Sequence, residues 1–252
     1  MHGVGYPYLK LGFTSFNLPA PVPVLLQVNP DPLFPTVEFP NPEEGKGALK
    51  LAMEAAEAAG STLILANDPD ADRLAVAELG PSGWKVFNGN EIGIMLGYSE
   101  WQEWKKINPR KDASKVVLLA STVSSKMLQR ISQVEGFTFM ETLTGFKWLG
   151  NKAIELAQQG YEVLFAYEEA IGFMCGTVVM DKDGVSAAAK FAELRHQLKL
   201  NGLTCLQYLE GLFDKYGYFV SKNSYFICHD QEKTQKIFER IRYTAAPKPS
   251  VC

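Results

Sequence analysis

Leu63-Ile-Leu-Ala-Asn-Asp-Pro-Asp-Ala-Asp-Arg73 is the stretch from which the rest of the chain is best read. Residues 63–66 form a short apolar run that reads as a buried strand. Three carboxylates follow at alternate positions, Asp68, Asp70 and Asp72, and then Arg73. Three aspartates this close repel one another unless a cation sits among them. At the end of a strand they read as a hard-metal site beside an anion-binding arginine. Three monodentate carboxylates fill half of magnesium's octahedral shell and leave places for water or a phosphate oxygen. Phosphoryl chemistry asks for that combination.

Three other readings of the loop compete with this one. A calcium loop fails twice: counting from Asp68, the sixth position is Arg73 where glycine is needed, and the twelfth is Leu79 where a bidentate glutamate is needed. A phosphatase with an aspartyl nucleophile also places two aspartates, two residues apart, after a strand, but has no use for Asp72. A plain solvated turn rarely stacks three like charges.

Outward from this loop, the order of elements reads as α/β. Upstream, residues 43–59 read as a helix with acids in its first turn and Gly60 as its stop. Downstream, strands at 74–78 and 84–87 flank Pro81-Ser-Gly83 as a hairpin, and Asn88-Gly-Asn90 opens a helix to about Trp104. A polar stretch, 105–114, separates this block from a second one. There, strands at 116–120, 137–142 and 162–167 alternate with helices at 121–134, 145–159 and 183–200, the pattern of a mostly parallel sheet. A helix at 204–215, a strand at 218–228 and a helix at 231–243 complete the chain. Residues 1–42 are proline-dense from Pro19 onward, which favours extended segments and turns, with a candidate strand at 22–26.

Composition narrows the class. With 46% hydrophobic residues in 252, the chain can bury a sizeable core. A net charge of −3 gives no basic surface for nucleic acid. No apolar run is long enough to span a bilayer, and the N-terminus has no signal-peptide pattern. Cys175, Cys205, Cys228 and Cys252 lack C-x-x-C spacing, so neither zinc nor a disulfide framework is signalled and the reading is a reduced, cytoplasmic setting. His2, His196 and His229 are isolated and read as structural.

Two further constellations fall at strand ends and helix starts. Glu168 and Glu169 follow the strand 162–167, where α/β sheets bind ligands and carboxylates accept hydrogen bonds from sugar hydroxyls. Thr144-Gly-Phe-Lys147 and Asp181-Lys-Asp-Gly184 each open a helix, where Thr144, Gly145, Lys147 and Lys182 suit an anion and Asp183 suits an N-cap.

Taken in order, His-Gly-Val-Gly at 2–5, Asn-Pro-Glu-Glu at 41–44, Asp-Pro-Asp-Ala-Asp-Arg at 68–73, Glu-Thr-Leu-Thr-Gly-Phe-Lys at 141–147, Glu-Glu-Ala-Ile-Gly at 168–172 and Lys-Asp-Gly at 182–184 resemble the α-D-phosphohexomutase superfamily. The wording is similar to the phosphoglucomutase-2 branch, which holds phosphopentomutases and glucose-1,6-bisphosphate synthases. The resemblance implies two consecutive mixed, mostly parallel α/β domains: a metal-binding domain II at 1–108 lacking its opening strand, and a sugar-binding domain III at 109–218. Residues 219–252 would be a linker towards a C-terminal phosphate-binding domain. It implies that Asp68, Asp70 and Asp72 bind Mg²⁺, that Arg73 holds a phosphoserine loop, and that Lys182 transfers a proton or contacts phosphate. Thr144, Gly145, Lys147, Glu168 and Glu169 would bind the sugar phosphate. Ala170 stands where many relatives carry serine, which suits a substrate other than a plain glucose phosphate.

The implied reaction moves a phosphoryl group between two hydroxyls of a hexose or pentose phosphate through a sugar bisphosphate. The chain has no Thr-Ala-Ser-His-Asn-type phosphoserine segment and no Arg-x-Ser-Gly-Thr-Glu-Pro-like loop. The expectation is therefore a fragment without turnover of its own, whose second domain folds less well than its third. The alternatives are the aspartyl phosphatase and a non-enzymatic chain that binds Mg²⁺ or sugar phosphate.

Overall fold

The computed structural model describes residues 1–44, 47–222 and 227–243. It divides into two units, residues 1–220 and 221–252.

The first unit holds two sheets. β1 (Leu63–Ala66), β2 (Ala75–Gly80) and β3 (Gly83–Phe87) form an antiparallel meander in that order. The β2–β3 turn closes where Gly80 faces Gly83, as the proline–glycine punctuation predicts. β1 has β2 as its strand neighbour among the described residues, and only Ile64 of it is buried, so it is a half-buried edge rather than a buried strand. An apolar cavity of about 340 Å³ is lined by Phe13, Leu49, Ala56, Ile64 and Leu65 and reaches Asp68.

The second sheet runs β5-β4-β6-β7: β4 (Val116–Ser121), β5 (Thr138–Thr142) and β6 (Glu162–Glu168) are parallel, and β7 (Gly172–Cys175) returns antiparallel to β6. β4 is buried along its whole length. With a side-chain period of two, Val117 and Leu119 meet Phe146 and Leu149 of α5 (Phe146–Gln158) in one core. Val116, Leu118 and Ala120 join the larger core. That core contains residues of α3 (Gly89–Ile107), α4 (Met127–Glu135), α6 (Gly184–Leu200) and α7 (Cys205–Tyr216), together with Val76 of β2 and Leu74 just before it. Helices on both faces explain why β4 reads as an unbroken apolar run. The parallel character expected of the chain is confined to this second sheet.

Caps set several helix boundaries. Asn88 with Glu91, and Thr204 with Gln207, form reciprocal capping boxes at the starts of α3 and α7. Gly136, in the left-handed region at φ +89°, ends α4.

Glu78 links the two sheets' surroundings. It is 3% exposed, and its carboxylate accepts from the Cys205 and Leu206 amides at the first turn of α7. The Arg195 guanidinium of α6 lies 3.0 Å away. A buried carboxylate is tolerated there because a helix N-terminus and a cation compensate it together.

Several expectations shift. Helix α1 (Tyr6–Ser15) precedes the proline-dense stretch and has no counterpart among the expected elements; Pro7 sits in its first turn, where a missing N–H costs nothing. Residues 22–26 form no strand, and Leu25–Gln27 is a 3-10 turn. α2 spans Lys50–Ala58, not 43–59: Pro42–Glu44 make a separate 3-10 turn, Gly47 disfavours an earlier start, and no acid lies in the first turn. α4 begins at Met127 rather than at Ser121, because Ser121 is the last residue of β4. Residues 105–107 belong to α3. β7 has no counterpart in the sequence reading, being short and begun by Gly172.

The second unit contains α8 (Gln231–Tyr243). Residues 218–222 and 227–228 are not in strand, and residues 223–226 of that expected strand lie outside the described residues. Among the described residues, no helix is long and apolar enough to cross a membrane.

Candidate functional site

The acidic loop connects β1 to β2 and is held by backbone groups. The Arg73 amide donates to Asp68 Oδ1 at 3.0 Å, the Ala71 amide to the Asp68 carbonyl at 3.0 Å, and Asn67 Nδ2 to the Arg73 carbonyl at 2.7 Å. Ala71 adopts the left-handed region at φ +61°. That conformation costs a non-glycine residue energy that the surrounding bonds must offset.

The fold brings the three carboxylates together. One oxygen each from Asp68, Asp70 and Asp72 lies within 4.8 Å of the others. Asp68 is buried, Asp72 half-buried and Asp70 exposed. Burial, reinforced by the charges of Asp70 and Asp72, pushes the Asp68 carboxyl up to about 6 against the Arg73 amide and guanidinium. Arg73 Nε stands 3.7 Å from Asp68 and 4.0 Å from Asp72. Lys182 Nζ lies 2.5 Å from Asp72 Oδ2. An all-oxygen donor set, concentrated charge and one solvent-facing member fit a hard divalent cation. A groove of about 600 Å³ is lined by Tyr8, Leu11, Asp70, Asp72, Val179 and Lys182.

The other segments picked out in the sequence meet this loop directly. The Leu74 amide donates to the Ile171 carbonyl at 3.0 Å, and Arg73 pairs with Gly172 as an antiparallel bridge. The acidic loop and the Glu168–Gly172 turn are thus joined through their backbones. Ile171 also lies at positive φ, +53°, which is costly for a β-branched residue. The Gly184 amide donates to the Ala71 carbonyl at 3.1 Å, which ties the Lys-Asp-Gly turn to the same loop. Asp183 caps α6 through the Val185 and Ser186 amides, as its position predicts.

Glu168 ends β6, is 9% exposed, and accepts from the Gly145 amide at 2.5 Å. Gly145 sits at φ +111°, a backbone setting that side chains avoid, so this approach depends on glycine. Thr144 is exposed on the same loop. Lys147 is exposed and pairs with Asp181, which holds its ammonium above the usual lysine range. Glu169 turns away from Glu168: its Oε2 lies 3.2 Å from Ser121 Oγ and 3.5 Å from Ser124 Oγ. Ser121, expected as the first residue of a helix over 121–134, instead ends β4 and supports this glutamate.

Asn67, Ser121, Ser124 and Asp181 carry no signal as site residues in the sequence. They act through contacts 6 to 48 residues distant, which no local pattern reveals. His2 is buried, with Nε2 2.7 Å from Thr36 Oγ1, in agreement with a structural role.

An α/β chain whose triple-aspartate loop is stitched to a glutamate turn and a lysine turn is the class that fold and site define. Residues 1–80 match the family model for the phosphoglucomutase/phosphomannomutase alpha/beta/alpha domain II, and residues 88–216 match the model for domain III. The chain belongs to the phosphoglucomutase/phosphomannomutase family. It is 53% identical to a human phosphopentomutase over 244 residues, covering 96% of this chain and 40% of that protein. It is 50% identical to a human glucose 1,6-bisphosphate synthase, covering 100% of this chain and 41% of that protein. Its fold matches the crystal structure of a putative phosphomannomutase from Thermus thermophilus with a TM-score of 0.67 at 20% identity, over 86% of this chain and 44% of that one. The chain therefore spans about two fifths of the length of the relatives it matches.

Proposed function

We propose that this chain forms the metal-binding and sugar-binding walls of a sugar-phosphate mutase cleft of the phosphopentomutase or glucose-1,6-bisphosphate synthase type. The observation that carries the reading is the backbone junction at Leu74–Ile171 and Arg73–Gly172, which fixes the Asp68–Asp72 triad against the Glu168 turn. Asp68, Asp70 and Asp72 would hold Mg²⁺, which supplies charge neutralisation at a phosphoryl oxygen. Arg73 steadies the anionic donor side. Lys182 withdraws charge from Asp72 and stands ready for a phosphate oxygen or a hydroxyl proton. Glu168, Thr144, Gly145 and Lys147 orient the sugar phosphate through hydroxyl and anion contacts. The domain reading keeps a metal domain over 1–108, a sugar domain over 109–218 and a linker over 219–252. A cytoplasmic setting accords with Cys175, Cys205 and Cys228 being free thiols.

An aspartyl-phosphatase reading is less suited to the site. Its nucleophile should be open to substrate, whereas Asp68 is buried and its Oδ1 accepts from the Arg73 amide. The sequence contains no phosphoserine segment of the family type, so the chain alone is expected to bind without turnover.

Calorimetric titration tests this. The chain should bind Mg²⁺, and with Mg²⁺ present it should bind glucose 1-phosphate or ribose 1-phosphate. Asp70→Asn should weaken Mg²⁺ binding by tenfold or more, on the order of 1.4 kcal/mol. Absence of Mg²⁺ binding in the unaltered chain would sink the reading. Conversion of either sugar phosphate by this chain with a bisphosphate primer would refute the no-turnover part.

A further inference from the structure

The adjacent glutamates Glu168 and Glu169 are held in different ways, and the hydrogen bonds around Glu169 close on themselves. The Glu169 amide donates to Ser124 Oγ at 3.1 Å. Ser124 Oγ and Ser121 Oγ are 2.7 Å apart, and Ser121 Oγ lies 3.2 Å from Glu169 Oε2. One assignment of protons satisfies every member: the amide donates to Ser124, Ser124 to Ser121, and Ser121 to the carboxylate of the residue where the ring began. Ser121 is 0% and Ser124 4% exposed. The two serine hydroxyls are therefore shielded from competing water while Glu169 is half-buried, and removing a serine hydroxyl leaves buried polar atoms unpaired.

Its surroundings are equally constrained. Asn90, in the first turn of α3, accepts from the Ser125 amide at 2.7 Å and from the Tyr167 hydroxyl at 3.3 Å. Gly89 approaches so closely that a Cβ there would lie 1.8 Å from the Glu169 carbonyl oxygen. Two residues beyond the ring, Ile171 is held at positive φ while its carbonyl accepts from Leu74 of the metal loop.

We infer that Ser121 and Ser124 are positioning residues. Their hydroxyls lock Glu169 in a closed ring, which sets the turn that carries Glu168 and holds Ile171 against the metal loop. Glu169, which the family resemblance puts among the sugar-phosphate residues, thereby acts through the backbone and does not contact the sugar. The inference rests on the proposed sugar-phosphate site for its functional consequence, but the ring itself is measurable without any ligand.

Two readouts test it. Native-state hydrogen exchange on Ser124→Ala should speed exchange at the Glu169 and Leu74 amides by about tenfold or more, while amides of α5 and α7 keep their protection. In calorimetry with Mg²⁺ present, the same variant should bind glucose 1-phosphate about tenfold more weakly, with Mg²⁺ affinity unchanged. Glu169→Gln retains an acceptor for Ser121 and should behave like the unaltered chain; Glu169→Ala should behave like Ser124→Ala. If Ser124→Ala does not fold, Ser121→Ala and the two Glu169 variants carry the same comparison. Unchanged protection at Glu169 and Leu74 overturns the ring. A Glu169→Gln variant as weak in sugar binding as Glu169→Ala overturns the claim that Glu169 does not touch the sugar. If the unaltered chain binds no sugar phosphate, the proposed function fails, and the exchange result alone decides the ring.

Discussion

Gly184→Ala probes the joint between the Lys-Asp-Gly turn and the metal loop. A Cβ at this position would lie 2.3 Å from the Arg73 carbonyl oxygen, 2.5 Å from Asn67 Nδ2 and 2.7 Å from the Ala71 carbonyl oxygen. Ordinary contact begins at 3.4 Å, so the Arg73 carbonyl must retreat by about 1 Å. Two of the three obstacles are backbone atoms, which cannot rotate away. Overpacking of this kind costs about 1–3 kcal/mol. The Gly184–Ala71 and Asn67–Arg73 hydrogen bonds also stretch, at about 1 kcal/mol each if lost. The variant should therefore lose about 2–4 kcal/mol in urea unfolding, which for this size is a fall of about 5–15 °C in melting temperature. Because the displaced atoms bracket Asp72, Mg²⁺ affinity should fall by about tenfold or more. Gly211→Ala is the control: it lies in α7, a Cβ there meets nothing within 4 Å, and alanine should raise stability by about 0.5–1 kcal/mol. A Gly184→Ala chain that melts with the unaltered one and binds Mg²⁺ equally well would refute the joint.

Glu78→Gln should destabilise by about 3–5 kcal/mol, since it leaves Arg195 beside a neutral group and removes the anion from the α7 N-terminus. A loss under about 1 kcal/mol in urea titration would show that the pair is solvated. Glu135 provides a pH test. Burial pushes its carboxyl up, but hydrogen bonds from Lys215, Tyr216, Lys105 and Trp101 outweigh this and hold it at about 2. Unfolded, it returns to its ordinary 4.5, so the unfolded chain takes up the proton first as pH falls. Its stabilisation is full above pH 4.5 and vanishes below about pH 2. Allowing for the exposure of both lysines, it is worth about 2 kcal/mol. The stability gap between the unaltered chain and Glu135→Gln should shrink by roughly half or more from pH 7 to pH 3; a constant gap would contradict the ion cluster.

The site was legible to the extent that its chemistry is local. The alternating aspartates occupy one six-residue loop, so their convergence needs only a turn, and Asp183 caps α6 from the next residue. The α/β alternation of 116–200 was legible because β4, buried along its whole length, leaves an unbroken apolar run. α1 was hidden because its pattern is short and includes Pro7, and the proline-dense stretch after it drew the reading towards turns. Acids after Pro42 imitate the first turn of a helix, so the true start of α2 at Lys50 leaves no signal of its own. Glu169 could not be told from Glu168 by sequence, since the difference lies in Ser121 and Ser124, more than 40 residues upstream. The Leu74–Ile171 junction was equally invisible: backbone pairing between loops leaves no residue signature.

Glu78 bears on modularity. The two family models meet between residues 80 and 88, a natural place to cut the chain on sequence grounds. The carboxylate that stands just before that seam finds its partners at 195, 205 and 206, far beyond it. A piece ending at 80 would strand an apolar-lined acid without donors, and a piece beginning at 88 would keep a cation and a helix terminus without their anion. The two family segments thus share one buried charge pair, and a change at position 78 alone leaves Arg195 and the α7 N-terminus without their anion.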